Sequence, residues 1–505
     1  MHGLPLDLVP GVLDALQWRV GDLAACCRVS RTWREWATPR LYERLWLRDQ
    51  LRVIRVFQTL SDHPHLARLV RILGTSRAHP ELRVFPFGLP AERLEQLEEQ
   101  IVRTLHAAVN LHELCWTRDG SLNDRVLRTM FDELKHLRKL ELTGNSKLWS
   151  PALLCDKIPR SVQELQIVLP DRHVAQHLVR LAASVDRLEA LSLFCMVRAL
   201  LMQNTSLITD ALLAELAQHA RLRRLTLVGC KAVHGPGVTQ LAQAGAMQVL
   251  ALEGVGMAPD ALPALLPYTH AVRSLTLTYP KRAEDAAPFF AHLAELTSSC
   301  ANLEALTLYA RSGSAPALDG DDDGDAAEAP APAPAHPVRS VPLPPGSETA
   351  VVPVAHAADK NPRLSTAFVR RLIFGRTART LRKLWVYEMA VSMHQLQMLA
   401  LSTLSDHLED LVVHLFEADV EALAHYLSKF SRLRSVHIMS HVRSQAEFTY
   451  EDIEYVARQC SEHLVQIGFR NRVWNVVVEG ERQLVRYDMA AGVYPEKLLV
   501  VRAMN

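Results

Sequence analysis

A short pattern of aliphatic residues returns at regular intervals along this 505-residue chain. Each copy has an aliphatic residue, two variable positions, a second aliphatic residue, one variable position and a third apolar residue. The middle residues of the twelve copies stand at positions 114, 140, 165, 191, 225, 250, 275, 306, 384, 411, 436 and 467. Steps of 25 or 26 residues are the commonest, and a period of this length predicts a solenoid of stacked units rather than one globular core.

The segment from Asn123 to Leu142 indicates how one unit folds. Its first half places apolar residues three and four positions apart, which predicts one buried face of a helix that begins at Asn123 or Asp124. Its second half ends in Leu140 and Leu142, which alternate as on a strand. Because neither half buries its apolar side alone, the units must stack on one another.

The period and the pattern resemble leucine-rich repeats, and the stretch around Gly229 and Cys230 resembles their cysteine-containing subclass. The resemblance implies an α/β fold: a leucine-rich-repeat solenoid, or horseshoe, with parallel strands on the concave face and helices on the convex face. Two weaker units, one with Leu45 and Leu47 and one with Val70 and Ile72, precede the twelve. A solenoid of this kind is mostly surface, which is typical of proteins that bind other macromolecules.

The stretch from residue 4 to residue 36 does not follow the repeat pattern. Pro5 suits the start of a helix, an apolar stripe runs from Leu8 to Leu16, and Asp22 is placed to cap a second helix. A third helical segment contains Trp33. Three short helices in about 40 residues make a poor independent core, so part of this apolar surface is expected to need a partner.

These residues resemble the F-box family over about residues 3–42. The match comprises the Leu4-Pro5 opening, an acidic residue (Asp7, where the family usually has Glu), spaced aliphatic residues, Asp22-Leu23, and the Val-Ser-Arg-x-Trp run that ends at Trp33. With its repeats, the chain is similar to F-box/leucine-rich-repeat proteins, in particular fungal ones. In that class the small all-α F-box docks on a Skp-family adaptor, which joins it to a cullin, and the repeats hold a protein substrate for ubiquitin transfer.

The resemblance therefore implies a substrate receptor of an SCF-type ubiquitin ligase, with ten adaptor-facing residues. These are Leu4, Pro5, Leu8, Val9, Leu13, Leu16, Leu23, Val29, Ser30 and Trp33. The alternative is that several of them pack the helices of the F-box against one another. Pro5, Val9 and Trp33 are the strongest interface candidates.

The composition and the repeats divide the chain into six segments. Residues 1–42 are the F-box, residues 43–110 a linker with degenerate repeats, and residues 111–310 a first block of repeats. Residues 311–362 are rich in acidic residues, Pro and Ala, a composition that predicts a disordered insert. Residues 363–470 are a second block of repeats, and residues 471–505 a C-terminal β-hairpin cap.

Strand positions that flank the second and third apolar residues of each copy are expected to point into the concavity. In the later repeats these positions carry aromatic, histidine, methionine and arginine side chains, and exposed aromatic and arginine residues are favoured at binding hot spots. We predict a patch of seven substrate-binding residues: Tyr309, Trp385, Tyr387, His414, His437, Met439 and Arg470. The alternative is that the insert, the C-terminal hairpin or neighbouring side chains cover them.

Composition narrows the classes of function. Lys and Arg number 56 and Asp and Glu 55, so the net charge gives no argument for nucleic acid as a partner. The eight cysteines include no Cys-x-x-Cys pair, which is typical of buried thiols in a reducing compartment. The chain has neither a secretory signal nor an apolar run long enough for a bilayer, so we expect a cytoplasmic or nuclear protein that does not engage a membrane.

The sequence predicts no cofactor, no metal site and no catalytic residue. Asp319 to Gly324 begins like a calcium loop, but Pro330 stands where that loop requires Glu. Two other functions stay open. One is an F-box/repeat scaffold that acts outside ubiquitination. The other is a GTPase-activating repeat protein, a class with longer repeats and a regular Asn turn that this chain lacks.

Overall fold

One large parallel sheet covered by helices dominates the architecture. The computed structural model describes residues 5–16, 19–47, 50–74, 90–117, 122–197, 202–203, 206–310, 362–415, 419–440, 448–470, 472–479 and 481–486. These residues contain a 16-stranded sheet in which neighbouring strands run parallel until the last two strands, which are antiparallel. The prediction of an α/β repeat fold is confirmed.

The strands of this sheet follow chain order, and β7 and β8 form a separate hairpin. The bounds are Arg44–Trp46 (β1), Ile72–Gly74 (β2), Glu113–Trp116 (β3), Lys139–Thr143 (β4), Glu164–Val168 (β5), Ala190–Phe194 (β6), Met196–Val197 (β7), Met202–Gln203 (β8), Arg224–Val228 (β9), Val249–Glu253 (β10), Ser274–Thr278 (β11), Ala305–Tyr309 (β12), Lys383–Val391 (β13), Asp410–Leu415 (β14), Ser435–Ser440 (β15), Gln466–Phe469 (β16), Arg472–Glu479 (β17) and Glu481–Arg486 (β18).

Among the described residues, the first three α-helices form an N-terminal unit with its own core, and the later ones alternate with the strands they cover. They are Val9–Ala15 (α1), Val20–Cys26 (α2), Arg31–Glu43 (α3), Gln50–Asp62 (α4), Pro64–Ala67 (α5), Ala91–Ala107 (α6), Asp124–Glu133 (α7), Pro151–Lys157 (α8), Arg172–Ser184 (α9), Asp210–His219 (α10), Pro236–Ala244 (α11), Ala286–Ser299 (α12), Thr366–Phe374 (α13), Met393–Ala400 (α14), Val420–Leu427 (α15) and Tyr450–Gln459 (α16). Short 3₁₀ helices complete the layer at Leu6–Leu8, Pro259–Tyr268, Ala283–Asp285, Arg376–Arg379 and Thr403–Asp406. None of the described helices combines the length and the apolar character that crossing a membrane requires.

Each repeat buries the same aliphatic positions between the sheet and the helices. Leu225, Leu250 and Leu275 pair in register across β9, β10 and β11 and are fully buried. The two weak N-terminal units belong to the same stack, because Leu73 of β2 pairs with Leu114 of β3 and is buried. Of the two residues that mark the second unit in the sequence, Val70 is buried in the core, whereas Ile72 is half-buried and Leu73 takes the core position in the strand.

A carboxylate links neighbouring repeats at the start of their helices. The side chain of Asp210 in α10 accepts hydrogen bonds from the backbone N–H groups of His234 (2.7 Å), Gly235 (3.1 Å) and Gly237 (2.9 Å), which lead into α11. The approach is close, because a Cβ on Gly237 would lie 2.5 Å from the carbonyl oxygen of Asp210 and 2.7 Å from Cβ of Leu213. Glycine at position 237 is therefore a condition for stacking these two repeats.

The repeats on either side of the predicted insert meet at the carboxyl ends of two neighbouring strands. Residues 311–361 lie outside the described part of the chain, but β12 and β13 on either side of them are hydrogen-bonded neighbours. The N–H of Ala310 donates to the carbonyl of Tyr387, and the N–H of Ala390 donates to the carbonyl of Pro362, both at 2.9 Å. The described residues on either side of it, Ala310 and Pro362, thus both lie beside β13.

We predict that Gly237→Ala lowers the free energy of unfolding by about 1–3 kcal/mol, because the added methyl group meets backbone that cannot move without separating two repeats. Gly11→Ala is the matched control, since nothing lies within 4 Å of its added Cβ. Urea denaturation followed by circular dichroism measures both changes. Equal stability of the two variants would contradict the close packing at Gly237.

Candidate protein-binding sites

The N-terminal helical unit, residues 5–43, has a small core of its own. Val9 and Leu13 of α1, Leu23 of α2 and Ala37 of α3 are at most 1% exposed and form a cluster separate from the core of the repeats. Arg40 of α3 donates a 2.7 Å hydrogen bond to the carboxylate of Asp14, which joins α3 to α1. Helix α3 also contacts β1, so the unit sits at the first end of the sheet.

This core separates the ten predicted adaptor residues into distinct groups. Val9, Leu13 and Leu23 are buried, and Leu16 and Trp33 are half-buried against them. Val9 was a leading interface candidate, but it fills the interior because it faces α2 and α3 from the inner side of a seven-residue helix. Leu4 lies outside the described residues. The exposed members are Pro5, Leu8, Val29 and Ser30.

Ser30 has a local structural role. Its hydroxyl accepts a 3.2 Å hydrogen bond from the backbone N–H of Trp33 and so caps the start of α3. A Ser at this position satisfies one of the otherwise unpaired N–H groups of the helix. The Val-Ser-Arg-x-Trp run therefore encodes a helix start as well as any interface.

The unit leaves five large apolar side chains exposed. They are Leu8 (54%), Val12 (38%), Val20 (52%), Val29 (65%) and Trp36 (45%). The predicted site lacked Val12, Val20 and Trp36, although Trp36 follows Trp33 at helical spacing. A unit this small that exposes so much apolar surface is a candidate docking surface for another protein.

A second apolar cluster lies on the open face of the sheet, which we define as the face opposite the helices. Tyr387 and Trp385 of β13, Tyr309 of β12, Val412 of β14 and Met439 of β15 pack together there, apart from the main core. The rings of Tyr309 and Tyr387 stack with centroids 4.8 Å apart at 27°, and Trp385 meets Tyr387 edge-on at 6.5 Å. We call these five residues the open-face cluster.

An irregularity in β13 directs Tyr387 to the open face of the sheet. The pairing of β13 with β14 shifts between Trp385 and Ala390, and Glu388 adopts a positive φ of 51°. The chain passes from Tyr387, in the open-face cluster, to Met389, in the main core, across this strained residue. A bulge of this kind re-aims side chains at the end of a strand.

The structure distributes the seven predicted substrate residues unequally. It brings Tyr309, Trp385, Tyr387 and Met439 into the open-face cluster, and it places His414 and His437 on adjoining strands. The prediction of exposed side chains is wrong for four of the seven, because Tyr387 (0%), His414 (7%), His437 (9%) and Met439 (6%) are buried by their neighbours. Half-buried Tyr309, Trp385 and Arg470 are the members that solvent reaches.

His437 holds the last repeats together. Its Nε2–H donates a 2.7 Å hydrogen bond to the carbonyl of Arg470, whose φ is 49°. Its ring lies over Gly468, where a Cβ would come within 2.4 Å of Nδ1. Burial lowers the pKa of His437 to about 4, so the ring is neutral at pH 7.

The hydroxyl of Tyr387 is buried and makes no hydrogen bond within the described part of the chain. Burial raises the pKa of this phenol well above its usual range, and the neighbouring Tyr309, Asp410 and Glu253 act in the same direction. An unpaired buried hydroxyl costs free energy that an apolar ring would not. Buried polar groups in folded proteins are nearly all hydrogen-bonded, so this hydroxyl is an exception.

Comparisons with known proteins leave the family open. No family model matches the chain, and no curated protein matches it. Among solved structures, the crystal structure of the Rad7 and Elc1 complex in yeast contains a chain with 12% identity and a TM-score of 0.36, over 79% of this chain and 86% of that chain. At this identity and TM-score the similarity carries no argument about function, which therefore depends on the residues described above.

We predict that Tyr387→Phe leaves the free energy of unfolding unchanged or raises it by up to about 1 kcal/mol, because no hydrogen bond is lost. Tyr450→Phe is the matched control. Its hydroxyl donates to the carbonyl of Leu484 at 3.2 Å, so the substitution should lower stability by about 0.5–1.5 kcal/mol. Urea denaturation compares the two, and a loss of stability in Tyr387→Phe would indicate that its hydroxyl is bonded.

We also predict that His437 makes stability depend on pH. Its pKa is 6.5 in the unfolded chain and about 4 in the folded chain, so the stability it contributes is fully present above pH 6.5 and is lost as the pH falls towards 4. His437→Gln should therefore lose less stability between pH 7 and pH 4.5 than the wild type, by up to about 3 kcal/mol. Urea denaturation at both pH values gives the difference, and identical losses would refute a neutral buried ring.

Proposed function

We propose that this protein is the substrate-recognition subunit of a cullin-based, SCF-type ubiquitin ligase. The N-terminal helical unit is the F-box and binds a Skp-family adaptor, which carries the cullin. The open face of the repeats, as the concave side of a horseshoe, binds a protein substrate. The observation that carries the proposal is the exposed apolar surface of a small helical unit attached to one end of a repeat stack.

The proposed adaptor surface consists of the apolar side chains of the N-terminal unit that its own core does not bury. Val9, Leu13 and Leu23 supply its core, which leaves Leu8, Val29 and Trp36 free to contact a partner. Burying apolar area contributes about 25 cal/mol per Å². Three such side chains in an interface therefore contribute several kcal/mol to the binding free energy, which is the size of the contribution expected from hot-spot residues. Water would otherwise cover these side chains at a cost to solubility.

The substrate surface follows from the open-face cluster. Tyr309 and Trp385 present partly exposed rings that rest on buried Tyr387, and aromatic rings held rigidly in this way are favoured anchors for a protein segment. The paired β12 and β13 strands fix both rings, because Tyr309 lies opposite Tyr387 and Thr307 opposite Trp385. Because both rings are already held in place, this protein would lose little side-chain entropy when a substrate binds.

The proposed mechanism needs neither a catalytic residue nor a cofactor in this chain. The N-terminal unit contacts β1, and the open-face cluster is centred on β13, ten strand steps further along the sheet. Strands about 4.8 Å apart place the two surfaces on the order of 50 Å from each other along the sheet. Holding adaptor and substrate at a fixed separation raises the local concentration of substrate at the ligase, in the cytoplasm or the nucleus.

Two alternatives make different predictions. A scaffold that acts outside ubiquitination would use the repeats without engaging an adaptor. A GTPase-activating repeat protein would accelerate GTP hydrolysis by a partner GTPase, and we expect no such acceleration.

We predict that two sets of substitutions separate the two binding functions. Leu8→Ser with Trp36→Ser should remove the adaptor and the cullin from affinity-purified protein and retain the substrate, because both side chains are exposed and outside every core. Tyr309→Ala with Trp385→Ala should remove the substrate and retain the adaptor. Quantitative mass spectrometry of the purified complexes gives both readouts.

The matched control for the adaptor experiment is Leu51→Ser, which removes a side chain that is 66% exposed in α4, outside the N-terminal unit. It should leave adaptor recovery unchanged. Thermal unfolding should give the same midpoint for the control and the Leu8/Trp36 variant. Wild-type protein purified without any adaptor would eliminate the proposal in favour of a scaffold. Adaptor recovery that is equal in wild type and the Leu8/Trp36 variant would contradict binding through the N-terminal unit.

A further inference from the structure

The helical side of the repeat that follows the predicted insert carries a second exposed surface. Helix α13 turns Phe368, Val369 and Leu372 into the core, which leaves Arg370, Arg371 and Phe374 on its outer side. Phe374 lies four positions after Arg370 and three after Arg371, so it adjoins both arginines on the helix surface.

The 3₁₀ helix that follows α13 continues this surface. Its Thr377 and Ala378 are buried, whereas Arg376 and Arg379, three residues apart, are exposed. Residues three apart align along a 3₁₀ helix, so both arginines project from the same side.

The positive charge of this segment is concentrated and only partly compensated. From residue 363 to residue 383 the chain has seven Lys or Arg residues and no Asp or Glu, although the whole chain has a net charge of only +1. Arg370, Arg371, Arg376 and Arg379 form no ion pair or side-chain hydrogen bond with any residue that the structure describes, whereas Arg382 pairs with Glu409 at 3.1 Å. Four guanidinium groups are thus available to carboxylates from outside.

The same surface holds the two most exposed large apolar side chains of the described residues, Phe374 at 85% and Leu401 at 67%. They occupy equivalent places in successive repeats, because Phe374 precedes Leu384 by ten residues and Leu401 precedes Leu411 by ten. Leu384 and Leu411 pair across β13 and β14, and α13 packs on α14. The two apolar side chains therefore flank one another on the helical layer.

We propose that these six residues, which we call the arginine patch, bind an acidic segment of a partner protein that also carries apolar side chains. Its carboxylates would pair with Arg370, Arg371, Arg376 and Arg379, and its apolar residues would cover Phe374 and Leu401. The patch lies on the helical side of the sheet, opposite the open-face cluster, so it is a binding surface additional to both surfaces of the proposed function.

The composition of the patch favours a peptide over a membrane or a nucleic acid. Six of the seven basic residues between positions 363 and 383 are Arg, and the Arg fork matches carboxylate geometry, like that of phosphate, in two parallel hydrogen bonds. Attraction to anionic lipid would be served equally by Lys. Two apolar side chains are too few to anchor a protein in a bilayer interface, and backbone phosphates alone would leave Phe374 and Leu401 exposed to water.

The test is fluorescence anisotropy with purified full-length chain and a labelled 15-residue peptide of Glu, Asp and two Leu residues. We expect binding that weakens with added salt. Arg371→Glu, Phe374→Ser and Arg376→Glu together should weaken it by at least roughly tenfold. The matched control combines Leu148→Ser, Arg160→Glu and Arg172→Glu, which remove an exposed Leu and reverse two exposed Arg charges elsewhere. It should change the affinity less than about twofold.

Three results would overturn the inference, and none involves the adaptor of the proposed function. The first is wild-type affinity in the Arg371/Phe374/Arg376 variant. The second is stronger binding, lost in that variant, to phosphatidylserine vesicles or to a single-stranded DNA oligonucleotide. The third is peptide binding that emerges only when Asp319, Asp321, Asp322, Asp323 and Asp325 are changed to Asn, which would assign the patch to the acidic run of the chain itself.

Discussion

Burial of each repeat by its neighbours is the constraint on which the structure depends. A single strand and helix leave one apolar side open, and only the next unit, in register, closes it, as Leu225, Leu250 and Leu275 do across three strands. Hydrogen bonds between neighbouring repeats help to fix the spacing, such as those that the backbone N–H groups of Gly235 and Gly237 donate to the carboxylate of Asp210. The N-terminal helical unit stands outside this stacking and has to fill its own small core, which explains why it has apolar side chains left over at its surface.

The open-face cluster departs from this regular stacking. In β9 to β11 the open face carries residues such as Thr226 and Thr276, which need no partner beyond neighbouring side chains. From β12 to β15 aromatic and sulfur-containing side chains bury one another on that face, and the positive φ of Glu388 accommodates the change. The unpaired hydroxyl of Tyr387 is a consequence, because stacking its ring on Tyr309 fixes the hydroxyl where no described group meets it.

The sequence predicts much of the fold and less of the sites, for a physical reason. Repeat positions such as Leu250, and the cap that Asn123 forms on the N–H of Val126, depend on neighbours near in sequence or one period away. The burial of His437 depends instead on the absence of a side chain at Gly468 in the next strand and on the carbonyl of Arg470. Likewise, a helical stripe from Leu8 to Leu16 does not reveal which of its members a small core can accommodate, and Val9 rather than Leu8 enters it.

The one-dimensional construction also explains how one chain can offer several binding surfaces. Each repeat contacts only its neighbours, so exposed side chains on one repeat and one face change without disturbing others. Phe374 and Leu401 illustrate this freedom, since Phe374 ends α13, Leu401 follows α14, and both are exposed while the inner faces of these helices are buried in the core. Stability therefore sets no requirement for apolar or arginine side chains at these outer positions, and the proposed acidic partner would give both kinds of side chain a role.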